Sequence, residues 1–544
     1  MLLINPATEQ FGGILSRYVP VGIPVAIGTL AAYLKKFGHE VRIADDEIEK
    51  LNETNISKYT QGIHDRLIIG ISVLTSQAAR AYELTKLFKQ KYPDCVVILG
   101  GIHATALPEE GLENGADFVI RGEGEVPLLK LYEALKHDKD WHHIESLTYR
   151  MRNGVIRHNP DGKLIEDLDE IPIFPYELFR HPKYDMGFTT SSRGCPYRCT
   201  YCSQRLMTGL TYRYKSTQRM VEELDILINR YGQKHIIFYD DNFSYKKKRV
   251  IELCEAITEK KLNEKCSFEI QTRADNLYEE IMPYLKRANI SGVGFGMETG
   301  VERLAEKIVK GESVETHLKS VELARRYGIK VNLFMIFGLP TETKADREAS
   351  YHLIQRLGLQ FTKFNNLIPY PGTKLYRELK DSPGLHVEPL WKNFNSTLTA
   401  TRSIFDPTPL PYVPEGTTAW ELKRDIFRCN MGFYFKPKTL WNVITRKKGP
   451  GFVKLPPRWY LKPRELYEMS RLSIILLSNW IVALLPVSLG EKLFKIVQWI
   501  RHHKEKTPRN RILPAAIDGT MKNIQIDRKR KLLSKISLPL TSEA

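Results

Sequence analysis

Three of the seven cysteines in this 544-residue chain lie close together, in a loop that directly follows a predicted strand. The sequence there is Arg193-Gly194-Cys195-Pro196-Tyr197-Arg198-Cys199-Thr200-Tyr201-Cys202. Three thiolates on one loop can converge on one metal centre, and thiolate ligands favour iron–sulfur clusters, zinc or copper(I). A fourth ligand is missing, because Cys254 and Cys266 fall in a predicted helix and at the start of a predicted strand, where both are expected to be buried.

The missing fourth cysteine separates two kinds of metal site. A structural zinc site takes four protein ligands, whereas an iron–sulfur cluster held by three cysteines leaves one iron open to a small molecule. The spacing therefore favours a cluster with an open iron, and zinc is the less favoured alternative.

The same loop resembles the signature of the radical S-adenosylmethionine (SAM) superfamily, Cys-x-x-x-Cys-x-x-Cys, in which an aromatic residue usually precedes the last cysteine. Tyr201 occupies that place. The resemblance implies that Cys195, Cys199 and Cys202 hold a 4Fe-4S cluster whose open iron binds SAM. It also implies a reductant, such as flavodoxin or ferredoxin, whose electron cleaves SAM to methionine and a 5′-deoxyadenosyl radical.

Six short apolar runs around and after this loop each lead into a helix-like stretch. Such alternation predicts a partial (β/α)6 TIM-type barrel, with its active site at the carboxyl ends of the strands. The predicted strands are 188–191, 235–239, 268–271, 292–297, 331–337 and 361–366.

Four of these strand ends carry residues that match the SAM-binding pattern of the same superfamily. The resemblance implies that Asp241 holds the SAM amino group and that Arg273 pairs with its carboxylate. It further implies that Glu298 accepts from the ribose hydroxyls and that Gly338 lets the backbone approach adenine. Each residue taken singly could instead cap a helix or form a rim ion pair. Their shared position at successive strand ends favours one SAM site that also includes Tyr201.

The first part of the chain also alternates strands with helices. Strands are predicted at 2–4, 41–44, 67–73, 96–99 and 118–120, with helices near 27–37, 78–91 and 126–135. This pattern predicts a doubly wound, Rossmann-like (flavodoxin-like) parallel sheet. Ligands of such sheets bind beyond the carboxyl ends of the strands, so the turns that follow the strands are expected to form one site.

Residues 1–138 resemble the cobalamin-binding domains that are fused to many radical SAM enzymes. Three segments carry the match: Ser72-Val73-Leu74-Thr75, Leu99-Gly100-Gly101-Ile102-His103-Ala104-Thr105 and Arg121-Gly122-Glu123-Gly124-Glu125. The glycines would let the corrin or its nucleotide tail lie against the backbone, and the hydroxyls could bind it. The cobalamin contacts that the resemblance implies are Ser72, Thr75, Gly100, Gly101, His103 and Glu123.

One departure from the cobalamin-binding pattern concerns His103. The Asp-x-His-x-x-Gly motif, which supplies a cobalt-ligating histidine in cobalamin mutases, is absent because Gly101 stands two residues before His103. We therefore expect His103 to line the nucleotide pocket or to begin a helix. The alternative for the whole sheet is a degenerate nucleotide-type domain kept for stability.

The net charge of +18 is concentrated near the C-terminus, where residues 419–544 hold 26 lysines and arginines against 9 acidic residues. The apolar segment 472–489 contains Pro486 and is marginal against the about 20 apolar residues of a spanning helix. We therefore expect a mostly helical, basic region that lies in the membrane interface. A solvated basic face over a helical cap of the barrel is the alternative, and nucleic acid is disfavoured because no RNA-binding module is evident.

The predicted organisation is a cobalamin-binding domain (1–138), a linker (139–185), a radical SAM barrel (186–400) and the basic C-terminal region (401–544). The cysteines are too few and too irregularly spaced for a disulfide framework, and the first residues lack a signal core. We expect a cytoplasmic protein, with peripheral contact at the inner face of the membrane as a second expectation.

The two resemblances together imply a cobalamin-dependent radical SAM enzyme, most often a methyltransferase in this architecture. Cobalamin would take a methyl group from one SAM, and a substrate radical made with a second SAM would capture it at an unactivated carbon. The C-terminal region predicts an apolar or lipid-like small-molecule substrate. The alternatives are an oxidative cyclase, a methylthiotransferase, which the lone N-terminal Cys95 disfavours, and a non-catalytic iron–sulfur or cobalamin sensor.

Overall fold

The computed structural model describes residues 1–8, 21–63, 66–359, 361–395, 404, 406, 408–434 and 463–506. The chain forms two compact units, residues 1–491 and 492–544. Within the second unit the structure describes residues 492–506, which are helical.

The strands and helices are numbered separately in chain order. The strands are β1 (Leu2–Asn5), β2 (Val21–Gly22), β3 (Arg42–Asp45), β4 (Ile68–Ser72), β5 (Val96–Gly100), β6 (Phe118–Ile120), β7 (Leu147–Arg150), β8 (Ile156–His158), β9 (Tyr184–Asp185), β10 (Phe188–Thr189), β11 (Ser192–Arg193), β12 (Arg213–Tyr214), β13 (His235–Phe238), β14 (Ser267–Gln271), β15 (Ile290–Glu298), β16 (Lys330–Phe337) and β17 (Phe361–Asn366). The helices are α1 (Val25–Lys36), α2 (Ile56–Thr60), α3 (Ala78–Lys91), α4 (Ile102–Ala106), α5 (Pro108–Glu113), α6 (Glu125–Lys136), α7 (Arg205–Thr208), α8 (Thr217–Asp225), α9 (Lys247–Glu259), α10 (Leu262–Lys265), α11 (Met282–Arg287), α12 (Glu302–Lys307), α13 (Val314–Arg326), α14 (Lys344–Arg356), α15 (Lys374–Leu379), α16 (Ala419–Tyr434), α17 (Pro463–Ala483) and α18 (Val487–Lys506).

The N-terminal sheet has seven strands in the order β3-β1-β4-β5-β6-β7-β8. The first five in this order are parallel, which confirms the predicted doubly wound sheet. Its central strands are continuous apolar runs because helices cover both faces, and Leu2, Leu3 and Ile4 are fully buried.

Part of the segment predicted as a linker belongs to this sheet. β7 pairs antiparallel with β6, and β8 pairs antiparallel with β7. The alternation of apolar residues is weak there because β8 lies at the sheet edge and its residues are largely exposed. Further along the same segment, Tyr176 and Phe179 are buried in the core of the barrel, so the segment packs on both parts of the chain.

The second sheet contains six parallel strands in the order β10-β13-β14-β15-β16-β17. All six predicted barrel strands are present. Its interior is packed with aromatic residues, and Phe238, Phe268, Phe295 and Phe337 are fully buried. This is the partial barrel expected from the alternating pattern.

Hydroxyl caps begin four helices of this barrel. The side chains of Ser216, Ser313, Thr343 and Thr373 accept hydrogen bonds from backbone N–H groups in the first turns of α8, α13, α14 and α15. Such caps satisfy donors that a helix leaves unpaired at its start. They therefore fix where each helix begins after its strand.

Helix α16 closes the barrel at β17. The side-chain amide of Asn430 accepts from the N–H of Phe364 at 3.1 Å and donates to its carbonyl at 2.9 Å. Leu422 and Ile426 of the same helix are fully buried. Part of the region predicted as a basic C-terminal extension is thus a wall of the barrel.

The predicted apolar segment 472–489 lies in α17, the turn after it and the start of α18. Among the helices that the structure describes, none is long and apolar enough to cross a membrane.

Candidate active site

The three signature cysteines lie on the loop between β11 and α7, at the carboxyl end of the barrel strands. Two contacts fix this loop. The N–H of Gly194 donates to Asp241 at 2.9 Å, and the N–H and hydroxyl of Thr200 donate to the carbonyl of Ile308 at 3.1 and 3.0 Å. The loop is therefore held at two points on either side of Cys195 and Cys199.

The thiols of this loop are partly buried. Burial raises the pKa of Cys195 to about 11, that of Cys202 to about 12, and also that of Cys199. Without a metal the thiols would stay protonated at neutral pH, and iron would displace those protons on binding. Within the described ranges, no three His, Cys, Asp or Glu side chains are placed to hold a single metal ion. The other two cysteines considered from the sequence, Cys254 and Cys266, are buried as expected.

Arg273, predicted to pair with the SAM carboxylate, lies beside the cysteine loop. Its Nη1 is 3.8 Å from the sulfur of Cys199, and its guanidinium carbon is 3.6 Å from the ring centre of Tyr197. Asp275 accepts from its Nε and Nη2 at 2.9 and 2.7 Å. One edge of Arg273 is therefore already bound by a carboxylate of the chain, and Nη1 is the group that faces the cysteine.

Tyr201 and Glu298, both predicted SAM contacts, meet at the end of β15. The hydroxyl of Tyr201 donates to Glu298 at 3.0 Å, and the ammonium of Lys310 lies 3.3 Å from the same carboxylate oxygen. Glu298 is 7% exposed and has a φ of 66°. A left-handed conformation of a long side chain is strained, and such strain is commonly retained at functional sites.

Sequence reasoning missed Lys310 and Glu312, although both are buried here. The ammonium of Lys310 lies 3.3 Å from Glu312, and Arg273 lies 3.7 Å from it. Burial alone would raise the pKa of Glu312, but Lys310, His317 and Arg273 lower it overall. The signal in the sequence was faint, since a lysine and a glutamate in a short loop are normally solvated.

Asp241, predicted to hold the SAM amino group, opens into the cavity described below. Desolvation by the surrounding cavity walls raises its pKa to about 6, against the opposing effect of the hydrogen bond from Gly194. Its neighbour Asp240 instead accepts from Ser191 and Ser192. Of the two adjacent acids, Asp241 is the one available to a ligand.

Gly338, the predicted adenine contact, lies against the C-terminal wall of the barrel. It has a φ of 90°, and a Cβ placed there would lie 3.0 Å from Leu422 of α16. Its N–H donates to the buried carboxyl group of Glu342 at 2.5 Å. These contacts do not join it to Tyr201 and Glu298.

A cavity of about 660 Å³ joins the N-terminal sheet to the barrel. Four of the predicted cobalamin contacts line it, Ser72, Gly100, Gly101 and Glu123. Its opposite wall comes from the barrel and includes Arg193, Gln204, Met207, Tyr239 and Asp241. Glycine is required at position 101 by the close approach of the segment that follows β4, since a Cβ there would lie 2.8 Å from the backbone nitrogen of Val73. The cavity has the size and the glycine-rich, largely apolar walls that suit an organic cofactor.

Two side chains that line this cavity, Leu74 and Tyr239, were not predicted from the sequence. They are 50% and 56% exposed. Each stands at a strand end that the sequence analysis had singled out for its polar neighbours. Both side chains therefore add apolar surface to the cavity wall.

The structure places His103 and Thr75 behind the cavity wall. His103 is 1% exposed and lies in the first turn of α4. One ring nitrogen is 3.2 Å from the hydroxyl of Tyr82 and the other is 3.3 Å from that of Thr75. No histidine is among the described residues that line the cavity. Of the two expectations for His103, the start of a helix is the one observed.

Glu123 lines the cavity, but its carboxylate is already hydrogen-bonded to two arginines. Arg213 donates to both of its oxygens, at 2.6 and 3.0 Å, and Arg193 donates at 3.1 Å. A second bond from Arg193 reaches Glu125 at 2.6 Å. Charge-assisted bonds of this length are strong. They tie the turn after β6 to the strand that leads into Cys195.

Two family models match the chain. The radical SAM superfamily model matches residues 189–354, and the B12 binding domain model matches residues 13–131.

Two curated proteins show the range of relatives. An uncharacterised methyltransferase of Pyrococcus horikoshii is 31% identical over 457 residues, which cover 82% of this chain and 95% of that protein. The anaerobic magnesium-protoporphyrin IX monomethyl ester cyclase of Rubrivivax gelatinosus is 25% identical over 395 residues, which cover 70% of each chain.

The fold is also similar to a solved structure, that of the radical SAM methyltransferase TsrM from Kitasatospora setae with cobalamin and a [4Fe-4S] cluster bound. The TM-score is 0.60, with 18% sequence identity and 88% of each chain covered.

Proposed function

This chain belongs to the cobalamin-dependent radical SAM enzymes, and from that membership we propose that it methylates an unactivated carbon of an apolar, lipid-like small molecule. Its cofactors are a 4Fe-4S cluster, SAM and cobalamin. One observation carries the proposal: a single cavity is lined by the glycine-rich turns of the N-terminal sheet and by Asp241 of the barrel. Groups bound at the two walls would face the same substrate.

When bound, the cluster and SAM supply hydrogen abstraction after one-electron cleavage of SAM, and cobalamin supplies the methyl group. The chain holds and orients these groups. Cys195, Cys199 and Cys202 would bind the cluster, and Arg273 would donate toward Cys199 from 3.8 Å. The glycines at 100 and 101 would let the corrin approach the backbone.

The acidic side chains would orient SAM. Asp241 offers a carboxylate to its amino group from the cavity wall. Glu298 offers a carboxylate to ribose hydroxyls, and Tyr201 and Lys310 hold it in one orientation. Preset donors and acceptors of this kind lower the reorganisation that catalysis requires.

The apolar walls of the cavity would exclude water from the reacting carbon. They include Val25, Ile27, Leu30, Leu74, Ile98 and Leu128. A substrate radical is protected by such a dry environment, and an apolar substrate is favoured by it.

Helix α17 supports contact with a membrane that would hold such a substrate. Tyr467, Ile474, Leu477, Ile481 and Leu484 share one face by their three- and four-residue spacing, and each is at least 56% exposed. On the opposite face, Asn479 and Ala483 are buried. We propose that this apolar face lies in the interface of an anionic bilayer, which the basic C-terminal region would attract.

The activity is tested by anaerobic reconstitution with cobalamin, dithionite, lipid extract and SAM labelled in its methyl group. We expect 5′-deoxyadenosine and label in the lipid fraction. A product that loses hydrogen and gains no label would instead support an oxidative cyclase, which the resemblance to the Rubrivivax enzyme makes the second candidate. Absence of 5′-deoxyadenosine would contradict both.

Membrane contact is tested by sedimentation with vesicles of phosphatidylglycerol or phosphatidylcholine. The variant Ile474→Glu/Leu477→Glu is expected to lose binding to the anionic vesicles. Gln61→Glu/Gln218→Glu adds the same charge at exposed polar sites and should bind as the original protein does. Equal binding of all three proteins would contradict the membrane proposal.

A further inference from the structure

A row of four tyrosine rings leads from the cysteine loop to the protein surface. Tyr197 stands between Cys195 and Cys199, and its ring centre is 6.1 Å from that of Tyr245. Tyr245 is 5.0 Å from Tyr212, which is 6.1 Å from Tyr214. Tyr214 is 45% exposed. The row ends at the surface beside the start of α9.

This end of the row is basic. Lys246, Lys247 and Lys248 follow Tyr245 directly, and all three are exposed. The ammonium of Lys246 lies 5.2 Å from the ring centre of Tyr245. Lys247 pairs with Glu280 at 2.9 Å, whereas the nearest carboxylate to Lys248 is 3.8 Å away on Glu252.

The cysteine loop adds one more positive charge, the exposed Arg198 between Tyr197 and Cys199. Within the ranges that the structure describes, neither Arg198 nor Lys246 has an ion pair to an acid of the chain. Their charge is therefore available to a partner. We define the donor-docking surface as Arg198, Tyr214, Tyr245, Lys246 and Lys248.

The donor-docking surface is separate from the cavity. The described lining of the cavity includes none of its five residues. A macromolecule could therefore approach the cysteine loop here while substrate and cobalamin occupy the cavity.

We propose that the donor-docking surface binds an acidic one-electron carrier protein, one that holds a reduced flavin or iron–sulfur centre. The inference rests on the proposed function, because the electron is needed by the cluster on this loop. One electron leaves the carrier, which is oxidised by one equivalent, and the cluster is reduced by one equivalent.

The chemistry of the surface suits such a carrier. Complementary charge speeds diffusional encounter and sets orientation, while small interfaces allow the oxidised carrier to leave quickly. The exposed ring of Tyr214 gives the partner a rigid, amphipathic contact. The ring row joins that contact to Tyr197, which lies between Cys195 and Cys199 on the cysteine loop.

The test compares two charge-reversed variants with the original protein. Lys246→Glu/Lys248→Glu alters the donor-docking surface. Lys234→Glu/Lys330→Glu makes the same change in net charge at the amino ends of β13 and β16, on the opposite side of the barrel. All four lysines are exposed, so neither variant should disturb the fold.

The probe is a flavodoxin. Its binding to each protein is measured by biolayer interferometry at low and high ionic strength, which needs no reaction. Cluster reduction is then followed by absorbance after mixing with flavodoxin hydroquinone or with dithionite. We expect Lys246→Glu/Lys248→Glu to weaken binding and to slow reduction by flavodoxin about tenfold at low ionic strength. Reduction by dithionite should be unchanged in every protein.

Equal effects of the two variants, or no effect of either, would overturn the docking inference. Failure of the proposed function would look different, because SAM and dithionite would then yield no 5′-deoxyadenosine from the original protein. A Lys246→Gln/Lys248→Gln variant that binds flavodoxin as tightly as the original protein would also overturn the inference.

Discussion

The guanidinium of Arg193 lies 2.6 Å from the carboxylate of Glu125, and the two residues belong to different halves of the catalytic unit. Arg193 ends the strand that enters the cysteine loop, and Glu125 begins α6 next to the cavity. Burial alone would raise the pKa of Glu125, but Arg193 and Arg213 lower it overall. The pair thus fixes the N-terminal sheet against the loop that carries Cys195.

Replacing Arg193 should weaken the contact between the N-terminal sheet and the cysteine loop. Arg193→Gln removes the arginine that is hydrogen-bonded to the buried Glu125, and we expect a loss of about 3 kcal/mol in the free energy of unfolding. Cobalamin affinity, measured by absorbance titration, should fall as well. Arg303→Gln removes a more exposed pair with Asp346 and should cost at most about 1 kcal/mol. Similar losses in the two variants would argue against the role given to Arg193.

Cys199→Ala should abolish the cluster and SAM cleavage while cobalamin stays bound. Iron content, absorbance and 5′-deoxyadenosine formation check this. Cys254→Ala is the control, because it removes the same thiol group from a buried position in α9, away from the cysteine loop. SAM cleavage retained by Cys199→Ala would contradict the assignment of the cluster.

Lys310→Met should weaken SAM binding and destabilise the fold. The change leaves Glu298 and Glu312 buried without the cation between them, which should lower the free energy of unfolding by about 3–5 kcal/mol. Adding Glu312→Gln should restore part of the stability, because one uncompensated charge is then removed. Thermal unfolding and calorimetric SAM titration of the reconstituted protein measure both effects. Additive losses in the double variant would contradict this coupling.

The carboxyl of Glu342 makes stability depend on pH. Burial raises its pKa to about 8, from an ordinary value of 4.5. Because the folded state binds this proton more tightly, its contribution is fully present below about pH 4.5 and is lost as the pH rises toward about 8. Glu342→Gln can still accept from Gly338, so its gain in melting temperature over the original protein should grow across this range. A constant difference would contradict the shift.

His103→Gln should leave cobalamin bound without altering the ligands of cobalt. His103 lies behind the cavity wall, so electron paramagnetic resonance of bound cob(II)alamin should be unchanged. Gly100→Leu should instead abolish binding, because position 100 lines the cavity. A changed cobalt spectrum in His103→Gln would show that the histidine reaches the metal.

The strands and the cysteine loop were predictable because their signals are local. A run such as Leu2-Leu3-Ile4 is buried on both faces, and its apolar character alone indicates a parallel strand. The three cysteines of the loop are close together in sequence, so the spacing that identifies the site can be read without knowledge of the fold. Asp241, Arg273 and Glu298 could be proposed because each lies at the end of a strand or in the first residues after it.

The rest depends on contacts between distant segments. Lys310 becomes part of the site only when the loop after α12 folds over Glu298, which its local sequence does not indicate. Gly338 faces Leu422, which is far from it in sequence, so the surroundings of Gly338 depend on where α16 packs. His103 and Glu123 stand in the expected motif, yet Tyr82 and Arg213 determine where their side chains lie.

The two hydrogen bonds that Asn430 makes to the backbone of Phe364 concern the outer edge of the second sheet, where another copy of the protein could associate. The last strand of an open sheet is a template onto which a foreign strand can add. Here the side-chain amide of Asn430 in α16 is hydrogen-bonded to both the N–H and the carbonyl of Phe364, so neither group is free to pair with a foreign strand. Helix α16 therefore covers, at Phe364, the sheet edge on which a strand of another copy could otherwise add.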